Sequence, residues 1–341
     1  MKIIKFKTAK EFIKKLNEIR GQGIIFRGLG SYRAELLPTG WRFNRYPESC
    51  FSFEDPNHKE LNLIKEIRTL RINLGHTEKL LNYLMYEMEL VHSFIQKSNR
   101  VRLPVENVLP FGFALPLKRD DRIRFWQEIL RQLPNWIKNY ETKDFKTNTD
   151  NFFMPGGILS PYLCTHFDMH AIAYAQHHGI PTRYIDFTHN PLIAAWFGIN
   201  QYKKFFKKKR AAYIGVLALN VEPNRCNSGI FKTEYRDLFE IVDNFKISRF
   251  NNLYHQEGLF LHMKHANWYF YLNGKWPTIN EYLMTLGTHF HEDNFSLLCL
   301  PVNQITELEN NLSSYKIDMP SLMPSFDNVA CFINSCDDFY S

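Results

Sequence analysis

No apolar run in this chain approaches the roughly 20 residues that a membrane-spanning helix needs, so a membrane setting is not expected. The opening stretch, MKIIKFKTAKEFIKKLNEIR, interrupts its apolar residues with lysines. It reads as a strand and an amphipathic helix, not as a leader peptide. Glycine is scarce beside the aromatics, 16 against 29 phenylalanines and 17 tyrosines, which excludes a fibrous or disordered chain. The six cysteines include no C-x-x-C pair, and their scatter suits buried, reduced thiols in the cytoplasm. P-loop, G-x-G-x-x-G and G-x-S-x-G sequences are all missing.

What is present is a chain of 341 residues, 45% hydrophobic, enough for a sizeable core. Of the +7 net charge, KKFFKKKR at 203–210 carries six, leaving about +1 for the rest. This local patch reads as the solvated end of a helix, with Phe205 and Phe206 as its anchors. Its alternative role is contact with nucleic acid or another polyanion.

The spacing of apolar residues predicts helices over 57–74, 77–97, 121–140 (split near Pro134) and 305–315. Residues 24–27, 184–187, 211–221, 258–262 and 296–302 read as strands, and 141–161 as a surface loop. Helices early and strands later give an α+β fold with a mixed sheet.

The densest chemistry lies in AIAYAQHHGIPTRYIDFTHNPLIAAWFGIN, 171–200. A helix through Gln176 and His177-His178 ends at Gly179, the residue type that closes such ends. After Pro181 comes a short strand. Asn190-Pro191 then starts a helix, an amide cap followed by proline at the first position. Thr182, Arg183, Asp186 and Thr188 therefore stand at two tight connections, where function concentrates. His166 and His170 could share a helix face, but Cys164 and Asp168 point elsewhere around it, so no metal is expected.

H-x-G-x-P-T-R-x-x-D-x-T followed by P-x-x-A-x-x-F resembles the central motif of the FRG domain family. Phe26-Arg27-Gly28, from which that family takes its name, is followed here by Leu36-Leu37-Pro38 and Arg42. Arg249, Gln256, Gly258-Leu259-Phe260, and 322–327 add further matches. Tyr184-Ile185 and Phe187 depart from the family's usual Leu-Leu and Trp, apolar for apolar. The resemblance implies a single FRG-type domain over 1–341. Residues 75–165 would form a helical and loop-rich insertion without visible family pattern.

The order of motifs is also similar to that of ADP-ribosyltransferases, by analogy of layout. On that analogy the sheet would be a split one. Arg27-Gly28 would hold the cofactor NAD, with His177, Thr182, Arg183, Asp186 and Thr188 completing its site. Glu257, Gln256 and His178 would be catalytic. A guanidinium grips phosphate in a fork, and a carboxylate such as Glu257 stabilises the oxocarbenium-like state formed as nicotinamide leaves. A bacterial toxin or defence role would follow only by extension. The bland alternatives are that Arg27 pairs with Asp186, that Arg183 also pairs with Asp186, and that Glu257 is a loop residue. A non-catalytic module binding a nucleotide or nucleic acid is the other functional class.

Overall fold

A computed structural model describes residues 1–42 (without 22 and 35), 74–101, 169–208, 211–221, 238–243, 251–263, 266–286 and 294–335. The helices expected at 57–74 and 121–140, the loop at 141–161, Arg249, and Cys164, His166 and Asp168 lie outside them. The fold is α+β, built on a seven-stranded mixed sheet. Its strands are β1 (Lys2–Lys5), β2 (Ile24–Leu29), β3 (Ile185–Thr188), β4 (Tyr213–Asn220), β5 (Phe239–Val242), β6 (Gly258–Met263) and β7 (Phe295–Pro301), in the order β1-β7-β4-β2-β3-β6-β5. The β1–β7 pair is parallel, whereas β7–β4, β4–β2, β2–β3 and β3–β6 are antiparallel.

The chain divides into two compact units, one of residues 1–36, 185–262 and 283–341, the other of 37–184 and 263–282. In the first, helix α1 (Ala9–Ile19) starts at Thr8, whose hydroxyl accepts from the Glu11 amide. The T-x-x-E spacing is that of a capping box. Ala9, Phe12, Ile13 and Leu16 form its buried stripe, spaced at three and four as a helix face requires. They share a core with Phe26, Ile214, Val216, Ala218, Leu298 and Leu300 of the sheet. The alternate residues of β4, Leu217 and Leu219, are buried too. A strand enclosed on both faces reads as one continuous apolar run.

In the second unit lie a long helix, α2 (Leu74–Arg100), and α3 (Met169–His177). Helix α4 (Pro191–Gln201) returns to the first unit. Asn190 Oδ1 accepts from the Leu192 amide, with Pro191 at the first turn. Helix α4 lies directly on β2. A Cβ on Gly28 would stand 1.9 Å from the Ala194 carbonyl oxygen and 2.5 Å from the Gly198 nitrogen. The glycine of Phe26-Arg27-Gly28 therefore lets two backbones meet.

Four further helices were not expected from the pattern or were read more coarsely: α5 (Asn251–His255), α6 (Ala266–Asn273), α7 (Ile279–Leu286) and α9 (Met319–Leu322), with α8 (Ile305–Ser314) between and α10 (Phe326–Ser335) last. Of the two phenylalanines in the basic run, Phe206 is half-buried against Gly30. Phe205 is 54% exposed, with the Lys204 ammonium over its ring, so it anchors nothing. Lys203 pairs with Glu309. Among the described residues no helix is long and apolar enough to cross a membrane.

Candidate functional site

In the first unit, Arg27 leaves β2 opposite Leu217 of β4. Its Nη1 donates to the main-chain carbonyl of Asp186 at 2.5 Å and lies 3.6 Å from that residue's carboxylate. Burial pulls the guanidinium's pKa down from its ordinary value, and Asp186 opposes the shift by charge and hydrogen bond. The Arg27 side chain is largely enclosed, whereas that of Asp186 is more than half exposed.

One register step away is a hydrogen-bonded node. Phe26 stands opposite Thr188, and Thr188 opposite Gly258. The Thr188 hydroxyl donates to the Gln256 carbonyl at 2.7 Å and accepts from the Asn190 amide at 3.0 Å. Asn190 Nδ2 donates to Glu257 Oε1 at 2.8 Å, while Arg20 Nη2 reaches the same carboxylate at 3.3 Å. The main chains are tied as well, His189 N donating to Glu257 O at 3.0 Å. Glu257 takes a left-handed backbone, φ 45°, which a non-glycine residue adopts only when its surroundings over-determine it. Gln256 is buried, and its side chain donates to the Leu322 carbonyl.

The second unit holds the other candidates. Helix α3 ends as its glycine suggested: Gly179 has φ +85° and its amide returns to the Gln176 carbonyl. Gln176 Oε1 accepts from both the amide and the hydroxyl of Thr182, so the fully buried Thr182 fastens the turn that follows. Arg183 is buried and finds its carboxylate in Glu87 of α2. Its Nε and Nη2 donate to Oε2 at 2.8 and 2.5 Å, and its amide to Oε1 at 2.7 Å. His178 is exposed at the rim of α3, its ring 4.6 Å from that of Tyr174 and 5.2 Å from that of the half-buried His177. Partial burial lowers its pKa, which favours the neutral ring.

The same unit contains a cavity of about 190 Å3, lined among others by Trp41, Tyr83, Tyr86, Glu87, Arg183 and Trp276. Trp41 and Trp276 are stacked, centroids 4.2 Å apart and planes within 5°. Sequence reading overlooked this aromatic wall, because its members are single residues in distant segments with no shared motif. Arg183 was the one polar lining residue it had singled out.

The structure thus joins Arg27 to Asp186, and Thr188 to Gln256 directly and to Glu257 through Asn190, within one unit. His177, His178, Thr182 and Arg183 belong to the other. The polar node around Thr188 lies at strand ends of the mixed sheet of an α+β fold. Within that fold class the assignment is specific: the family model described as FRG domain matches residues 115–207, and the chain carries an FRG domain. That stretch contains the H-x-G-x-P-T-R-x-x-D-x-T motif and also 115–165, where no pattern was legible. Phe26-Arg27-Gly28 and Gln256–Phe260 fall outside it. No curated protein and no solved structure matches the chain.

Proposed function

We propose that this FRG domain protein binds NAD and cleaves its nicotinamide–ribose bond in the manner of an ADP-ribosyltransferase. The observation that carries this reading is the register. Arg27, Thr188 and Glu257 lie on or beside three neighbouring strands, β2, β3 and β6, which span about 10 Å across two strand spacings. Both contacts of Arg27 run through Nη1. The Nε–Nη2 edge is then the fork that takes a pyrophosphate. Glu257 is held by Arg20 and Asn190 so that its carboxylate faces the ribose as positive charge grows at the anomeric carbon. Nicotinamide leaves with the bonding pair, and water or an acceptor nucleophile forms the new bond. A cytoplasmic chain that consumes NAD suits a toxin or defence effector, by extension.

The test follows free nicotinamide in an incubation of the purified chain with NAD, beside Arg27→Ala and Glu257→Gln. Release by the wild type, lost in both variants, supports the enzyme. A second reading, a non-catalytic nucleotide-binding module, is favoured by the engagement of the Glu257 carboxylate by two partners. Calorimetric NAD binding without release, even with candidate acceptors added, would select it. Neither release nor binding would remove both.

A further inference from the structure

We infer that the cavity of the second unit is a binding site for a flat, uncharged heteroaromatic ring of nucleobase or nicotinamide type, with a hydrogen-bond acceptor on its edge. Arg27, Thr188 and Glu257, which carry the proposed NAD chemistry, are not among the residues lining this cavity.

Size comes first. At about 190 Å3 the cavity exceeds an engineered apolar cavity of about 150 Å3 that admits benzene. It is thus large enough for a single ring with substituents. Shape comes next. Trp41, Tyr83, Tyr86 and Trp276 contribute aromatic side chains to the lining. The Trp41–Trp276 stack is braced by Tyr83, whose ring meets Trp276 edge-on at 5.5 Å. Flat rings gain most from such walls, because every aromatic ligand offers a π-face.

Charge narrows the ligand further. The two charged lining side chains, Arg183 and Glu87, neutralise each other, with Nε and Nη2 both donating to Oε2. A phosphate or carboxylate ligand would have to displace Glu87 from a buried pair, at high cost. Hydrogen bonding completes the selection. Thr39, another lining residue, accepts from Gln176 Nε2 through its hydroxyl oxygen, which leaves its proton to donate. The Thr39 hydroxyl is therefore the donor offered to an acceptor on the ring edge. Finally, Gly179, Pro181 and Arg183 of the FRG motif line the cavity. The motif thus builds this wall.

The experiment is calorimetric titration of the whole chain with adenine, uracil, nicotinamide and cyclohexanecarboxamide, the saturated counterpart of nicotinamide. We expect saturable one-to-one binding of at least one flat ring and none of the saturated one. The arms separate purine, pyrimidine and pyridine preference. Tyr86→Ala should weaken binding about tenfold or more, the loss typical of a base-stacking side chain. Thr39→Val, which keeps the side-chain shape but removes the hydroxyl, should weaken it about fivefold. Hydrogen exchange on the unaltered chain supplies a readout independent of any variant's folding: the ligand should protect peptides covering 39–41 and 179–183. Absence of saturable binding up to about 1 mM would overturn the inference. So would equal binding of cyclohexanecarboxamide, protection confined to other peptides, or unchanged affinity in both variants with native circular dichroism.

Discussion

Replacing Gly28 by alanine adds one methyl group at the point where α4 rests on β2. The new carbon would lie 1.9 Å from the Ala194 oxygen, 2.5 Å from the Gly198 nitrogen and 3.0 Å from the Ala194 carbonyl carbon. All three are backbone atoms, so no side chain can rotate aside. Restoring ordinary contact requires a retreat of about 1.5 Å by the helix. Overpacking of a filled core costs about 1–3 kcal/mol, and a rigid backbone obstacle belongs at the upper end. Alanine recovers some of this through its lower unfolded-state entropy, about 0.5–1 kcal/mol. The net expectation is a loss of about 2 kcal/mol or more. Gly198→Ala is the internal control. Its nearest contacts are 3.3–3.4 Å, and within a helix alanine is favoured over glycine by about 1 kcal/mol, so it should be close to neutral. Urea unfolding of both variants measures the difference as a shift in Cm. A Gly28→Ala chain as stable as wild type, but impaired in NAD binding, would refute the packing argument and return Gly28 to the ligand.

Three further outcomes are expected. Glu87→Gln breaks the buried pair with Arg183 and should cost about 3 kcal/mol or more, while a Glu87→Leu/Arg183→Leu double variant should cost less because no charge is stranded; urea unfolding of both checks the order. His178 has its pKa lowered below 6.5 by burial, so the unfolded chain takes up that proton first as pH falls. Its contribution is whole above pH 6.5 and fades as pH drops through the folded pKa; NMR titration of the ring, with His178→Gln flattening the acid-side slope, tests this. Burial pushes the Cys299 thiol up to about 11, whereas Cys331 is exposed. Peptide-resolved alkylation near pH 8 should label Cys331 in the folded chain and Cys299 only in urea.

Elements with strong local signals were legible. The amphipathic pattern of the first twenty residues announced α1, Asn190-Pro191 announced α4, and the apolar run at 211–221 announced β4. The elements missed lack such signals: Asn251–His255 is five residues long and, Leu253 apart, made of weak helix formers, and Phe239–Val242 is too short for any periodicity to show. The Arg27–Asp186 contact was among the anticipated pairings. The partner of Arg183 was not, since proximity suggested Asp186 and the structure supplies Glu87 from 96 residues earlier. Thr188 and Gln256 are 68 residues apart, and only sheet register brings them into contact. Trp41 and Trp276 meet for the same reason that made them invisible, since tertiary folding leaves no spacing rule in the chain.

The strand order also sets a timetable for synthesis. Lys2 leaves the ribosome long before Ser296, the residue it stands opposite, so β1 waits for β7. β2 likewise waits for β3 and β4. Pairings this distant in sequence form slowly, and until β7 arrives one edge of the apolar β4 is open. Such edges recruit other chains. A nascent chain halted before residue 295 should therefore be a client for chaperones.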